Sequence, residues 1–264
     1  AVILSPMVEL IDLSGYVEEG QPVYPGNQRT QFFPTSTHEG TGVTWMHDSD
    51  EETGAIRRKF AARRAGSTDE HPNVRSILVS EHGPTHVDSL SHLDPTNDGT
   101  IDRIPLDRFY GDAVGLDVSH LSPDEYITVE TLEAALDEAD LGLEPGDAIT
   151  LHTGHRQRTY SVNDPEKRHE YLYEFTGLNG EAAEWLVDRG VENIGIDAIS
   201  IDNSDALETM EYPAHDVCAE HEVLNMENMA NLDAVAGRRY TLCAFPLKLR
   251  DGTGSPIRPV AILE

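Results

Sequence analysis

Apolar residues follow two rhythms along this chain. Short, mostly apolar runs at Val8–Leu13, Ser76–Ser80, Ala113–Val118, Ala148–His152, Val191–Asp197 and Val223–Glu227 read as strands. Between them, Thr128–Ala139 sets Val129, Leu132, Ala135 and Leu136 at helical spacing. Leu178–Val187 does the same with Ala182, Ala183, Trp185 and Leu186, with Asn179 as its cap and Gly190 as its stop. A further short helix is expected up to about His221. Helix, glycine, apolar strand is the punctuation of an α/β fold. The 264 residues suit one large domain or two small ones, and neither an internal repeat nor an interdomain linker is visible.

One stretch breaks the rhythm. Residues 27–74 are polar and weakly periodic; a loop of that length inside a compact domain is functional, disordered or holds elements the pattern does not show. It carries Trp45, His47 and the basic cluster Arg57, Arg58, Lys59, Arg63 and Arg64. The cluster is expected to pair with acidic surface on its own or a neighbouring subunit; attraction of a carboxylate-bearing substrate is the other reading.

The chemistry concentrates in His82-Gly83-Pro84-Thr85-His86-Val87-Asp88-Ser89-Leu90-Ser91-His92. His82, His86, Asp88 and His92 all fall on even positions, so an extended strand would turn them to one side. A helix is the poorer reading, because Gly83 and Pro84 interrupt it. Neutral imidazole and carboxylate are the usual ligands of zinc and similar divalent ions. A solvated polar strand is the plain alternative. Glu227 raises a second question, since it ends an apolar strand and a lone buried carboxylate is costly.

Charge narrows the partners. With 48 acidic against 19 basic residues, the formal charge is −29. Such a surface repels nucleic acid and anionic membrane. Only Lys59, Lys167 and Lys248 are lysines, and the composition reads as that of a cytoplasmic protein from an extreme halophile. Cys218 and Cys243 form neither a metal pair nor a disulfide framework, and no apolar run reaches the roughly 20 residues of a membrane span. No basic region followed by an apolar core is seen at the N-terminus, so no secretory signal is expected. The chain lacks a Gly-x-Ser-x-Gly elbow, a glycine-rich phosphate loop and a His-Glu-x-x-His helix.

The His82–His92 segment resembles the His-x-Gly-Thr-His-x-Asp-x-Pro-x-His signature of the cyclase family of metal-dependent hydrolases, which takes in kynurenine formamidases and isatin hydrolases. Pro84 stands where the family has glycine, and Leu90 where it has proline. The resemblance extends to the Asp-Leu-Ser start, the Pro22-Val23-Tyr24-Pro25-Gly26 loop, the Gly195-Ile196-Asp197 strand end and the C-terminal strands at Arg239–Pro246 and Val260–Leu263. It implies a mixed, barrel-like β-sheet core with peripheral helices, of the swivelling β/β/α kind, in a single domain spanning 1–264 with an insertion or lid at about 27–74. It also implies one or two zinc or manganese ions on His82, His86, Asp88, His215 and Glu227, with both carboxylates bridging. His92 would be the catalytic proton carrier and Tyr24 would line the substrate pocket, packing under its loop being the other role for Tyr24. His152, His155 and Asp197 would stand behind the ligands, or would serve as a pair of loop histidines and a strand terminator. The implied activity is hydrolysis of a C–N bond in a small amide, formamide or lactam by metal-activated water, in a homodimer or homotetramer. A lyase or dehydratase on the same site and a non-catalytic metal-binding protein are the competing classes.

Overall fold

A computed structural model describes residues 8–36, 74–92, 94 and 96–263. The chain divides into two compact units, Ala1–Arg29 with Ser80–Glu264, and Thr30–Val79. In the smaller unit, strands β2 (Gln31–Ser36) and β3 (Val74–Leu78) pair antiparallel, with Phe32 opposite Ile77. Residues 37–73 of the expected insertion, including Trp45, His47 and the basic cluster, lie outside the described residues.

The larger unit is built on a curled, mixed nine-stranded sheet. Its strands are β1 (Glu9–Asp12), β4 (His86–Asp88), β5 (Tyr110–Asp117), β6 (Ala148–His152), β7 (Asn193–Ile196), β8 (Leu224–Glu227), β9 (Arg238–Cys243), β10 (Gly254–Pro256) and β11 (Val260–Leu263). They lie in the order β1-β11-β9-β5-β6-β7-β8-β4-β10. Strands β5 to β8 run parallel, and all other pairs are antiparallel. The helices are α1 (Val129–Ala139), α2 (His155–Thr159), α3 (Pro165–Tyr173), α4 (Gly180–Val187), α5 (Ala206–Thr209) and α6 (Pro213–His221).

Helices α1, α4 and α6 form where the chain supplies an apolar side and a start signal. Thr128 and Asn179 cap α1 and α4, accepting from Thr131 N and Ala182 N, and Pro213 opens α6. Their Leu132, Leu136, Ala182, Leu186 and Val217 pack on Val114, Leu116, Ile149, Leu151, Ile194 and Ile196 of the parallel strands. The opposite face of the sheet closes over Ala113, Ala148, Met226, Tyr240, Leu242 and Leu263. Burial on both faces explains why these strands read as continuous apolar runs rather than alternating ones. The parallel strands deliver His152, Ile196 and Glu227 at their carboxyl ends, the edge of an open α/β sheet where ligands collect.

Candidate metal centre and cavity

Strand β4 carries the centre of the motif and is only three residues long. It lies between β8 and β10, with His86 opposite both Glu227 and Pro256, and Asp88 opposite Gly254. His86 and Asp88 share one face, as period two requires, while Val87 is wholly buried on the other. The alternation does not run through the whole segment. His82 reaches the site through a bend, and His92 through a turn in which its N–H donates to Ser89 O at 3.0 Å. The His82 ring fits because residue 254 is glycine: a Cβ there would stand 2.7 Å from His82 Cε1.

Two groups of donor atoms converge, His82 with His86 and Asp88, and Asp88 with His215 and Glu227; within each group they lie within 4.8 Å of one another. Helix α6 brings His215 and the end of β8 brings Glu227. His86 Nδ1 lies 3.0 Å from the Pro84 carbonyl, which can only accept, so Nδ1 carries the proton. Its Nε2 lone pair then points at Asp88 Oδ1 and Glu227 Oε2, 3.4 and 3.5 Å away. His215 repeats the pattern. Its Nδ1 donates to Asp202 Oδ2 at 2.5 Å, and its Nε2 faces Glu227 Oε1 at 3.3 Å and Asp88 Oδ2 at 3.5 Å.

Buried lone pairs facing buried carboxylates are mutually repulsive unless a positive charge lies between them. The electrostatics show that demand. Burial opposes charge on His215, yet Asp202, Asp88 and Glu227 hold its pKa well above the ordinary value, and Asp88 and Glu227 raise that of His86. Burial would raise the Asp88 pKa, but His215, His82 and His86 hold it well below the usual carboxylate range. Asp88 Oδ2 is buried with no hydrogen-bond partner. Two carboxylates, three imidazoles and an unpartnered carboxylate oxygen fit a divalent cation.

Above the donors lies a cavity of about 300 Å³, lined by Tyr24, Ile199, Met210 and Tyr212 as well as by His82, His86, Asp88, His215 and Glu227. Tyr24 Oη and Tyr212 Oη are 2.7 Å apart, and burial with this contact raises the Tyr24 pKa. His92 also lines the cavity, its ring 4.0 Å from that of His82 and 6.5 Å from that of His215. Among the described residues it belongs to neither converging group. Desolvation lowers its pKa, Asp88 opposes this, and His82 and His215 add to it.

Other candidates sit elsewhere. His155 is buried under Tyr171, with Nε2 3.0 Å from the Tyr171 carbonyl. His152 faces Asp197 at 3.6 Å, and Asp197 accepts from Thr153 N and Oγ1, so the recorded partners of these three are not among the converging donors. The residue that orients His215 is Asp202. Besides His215 Nδ1, it accepts from Ala214 N at 2.7 Å, which ties the start of α6 to the site. Asp202 ends an apolar stretch, the same signal that singled out Glu227 in the sequence. Ile201 N donates to Glu227 Oε1 at 3.0 Å and fixes that carboxylate in turn.

Kynurenine formamidase of Salinibacter ruber is 26% identical over 257 residues, covering 95% of this chain and 96% of that protein. Kynurenine formamidase of Bacillus cereus is 28% identical over 247 residues, with 94% and 97% covered. Among solved structures, an isatin hydrolase bound to the product analogue thioisatinate superposes with a TM-score of 0.76 at 21% identity, covering 97% of this chain and 92% of that one. Isatin hydrolase A from Labrenzia aggregata, bound to benzyl benzoate, gives 0.75 at 22% identity, with 97% and 94% covered. These two show the shared fold. The model of the Cyclase family, described as "Putative cyclase", matches residues 11–203 and so takes in the whole His82–His92 segment. That match spans well over half of the sequence, and by it the chain belongs to the cyclase family.

Proposed function

We propose that this protein is a metal-dependent hydrolase that cleaves the C–N bond of a small amide, formamide or lactam, with zinc or manganese held by His82, His86, Asp88, His215 and Glu227. The observation that carries the reading is the unpartnered Asp88 Oδ2 among converging imidazoles and carboxylates at the floor of a 300 Å³ cavity. The names of the relatives, kynurenine formamidase and isatin hydrolase, support a formamide or a lactam as the substrate type. The two donor groups share Asp88, which suits either one ion or a bridged pair. A divalent ion held there would polarise the scissile carbonyl and make water more acidic at neutral pH.

The side chains supply the rest. Asp202 and the Pro84 carbonyl hold His215 and His86 with their Nε2 lone pairs turned inward. The apolar part of the cavity wall, Ile199 and Met210 with the Tyr24 and Tyr212 rings, suits a flat, largely apolar acyl or aryl group. His92 lines the same cavity without a ligand role. It would take the proton from attacking water and return it to the departing amine, and its lowered pKa keeps it available as a base.

The test is a substrate panel containing formylated kynurenine and isatin, run on metal-stripped protein and on the same protein after zinc or manganese is restored. Hydrolysis that disappears and returns with the metal is the expected result. Equal rates in both preparations, or wild-type metal content in Asp88→Ala by elemental analysis, would overturn the assignment.

A further inference from the structure

Asn228 follows Glu227 directly, lines the cavity, and holds a left-handed backbone with φ 55°. Asparagine is one of the few residues that adopts this conformation at low cost. Its backbone and side chain are held on several sides. Its N–H donates to Ala198 O at 2.8 Å, and its carbonyl accepts from Thr85 Oγ1 at 2.6 Å. Its Oδ1 accepts from Tyr171 Oη at 2.6 Å.

The direction of that last bond follows from what each group can do. Arginine only donates, and Arg156 Nη1 donates to Tyr171 Oη at 3.1 Å. Tyr171 is fully buried, so its own hydroxyl proton needs an acceptor, and Asn228 supplies it. The amide oxygen of Asn228 therefore faces Tyr171, and its NH₂ is turned away from Tyr171. Among the described residues this NH₂ meets no acceptor and is not among the buried unpartnered atoms, and Asn228 lines the cavity. Tyr24, Asn27, Ser200 and Tyr212 also line the cavity; the two tyrosine hydroxyls pair with each other, and Ser200 Oγ accepts from Asp202 N.

We propose that the Asn228 carboxamide donates a hydrogen bond to the carbonyl oxygen of the bound amide, and that Tyr171, backed by Arg156, holds it in that orientation. The proposal rests on the hydrolase reading above. The oxygen concerned gains negative charge as water adds to the carbonyl, so a fixed donor beside it lowers the barrier. Loss of one such donor typically costs about 10²- to 10³-fold in kcat.

Asn228→Asp keeps the size and the oxygen that Tyr171 needs, and replaces NH₂ by an acceptor. Asn228→Gly tolerates the left-handed backbone and adds no charge. Both should retain zinc and lose about 10²- to 10³-fold in kcat on the amide that wild type hydrolyses. Binding of benzamide to the zinc-loaded protein, measured by calorimetry, should weaken at least about tenfold in both, which corresponds to one lost hydrogen bond. Tyr171→Phe should cost a smaller part of the rate in wild type and nothing further in Asn228→Gly, a pattern that general loosening of the core would not give. Wild-type kcat and benzamide binding in both Asn228 variants, or rate loss that only tracks loss of zinc, would overturn the proposal while leaving the hydrolase reading in place. A wild-type protein inactive on every amide would overturn both.

Discussion

Replacing Asp202 by Asn tests whether the proposed metal centre depends on a residue that would not itself touch the metal. Asp202 is 1% exposed and accepts from both Ala214 N and His215 Nδ1. Asparagine has one acceptor oxygen where aspartate has two. If that oxygen keeps Ala214 N, the new NH₂ faces His215 Nδ1 and drives the ring proton to Nε2. Nε2 then presents a hydrogen to the space between Asp88 and Glu227, where a ligand needs a lone pair. If the amide turns over, two donors face each other at the start of α6. Either way His215 is a poorer ligand, and loss of such an outer partner costs about 10- to 100-fold in metal affinity, roughly 1.4–2.7 kcal/mol. The assay is zinc titration into chelator-stripped Asp202→Asn and wild type by calorimetry, with circular dichroism to confirm that both are folded. Wild-type zinc affinity in the folded variant would refute the tautomer argument.

Three further outcomes are expected. His92→Ala should keep its metal and lose about 10²- to 10⁴-fold in rate; loss of metal in parallel with rate, measured on one preparation, would make His92 a ligand instead. Burial holds the His155 pKa below its unfolded value, with the Tyr171 carbonyl and Asp197 opposing and Arg158 and Arg156 adding to the effect. The unfolded chain therefore takes up the proton first. The stability that neutral His155 contributes is complete above about pH 6.5 and is lost as pH falls from there toward the folded pKa. Thermal melts at pH 7.5 and 5.5 should show a smaller acid-side drop in His155→Gln than in wild type, and an equal drop would count against it. With a formal charge of −29, the melting temperature should rise steeply between dilute buffer and molar KCl; a flat profile would remove the halophile reading.

The fold class was readable because the parallel strands are buried on both faces and the main helices carry one apolar side. Helices α2 and α3 were not readable. Their sequences, His-Arg-Gln-Arg-Thr and Pro-Glu-Lys-Arg-His-Glu-Tyr-Leu-Tyr, are largely polar, and Tyr171 alone of α3 is buried. Within the site, His86 and Asp88 were legible from period two, and Glu227 from the cost of a carboxylate ending an apolar strand. His82 and His92 reach the cavity by a bend and a turn, which no spacing rule encodes. Asp197 and Asp202 look alike in sequence, each an acid after apolar residues. Only the fold shows that the first is satisfied by Thr153 and the second by His215. Asn228 carried no signal, because its value lies in a backbone angle and in which end of its amide Tyr171 claims.

The placement of β4 has a consequence for how the protein assembles. His86 and Glu227 face each other across one pair of strands but are about 140 residues apart along the chain. Closing a loop of that length costs on the order of 4 kcal/mol in its length-dependent part alone. His82, His86 and Asp88 are neighbours in sequence, but His215 and Glu227 join them only once β4 and β8 have paired. Strand β10, which contributes no ligand, closes the other side of β4, and its Gly254 leaves room for the His82 ring. The ion would then act as a clasp across a seam that joins distant parts of the chain. Its retention would report that the N-terminal motif and the C-terminal strands have met.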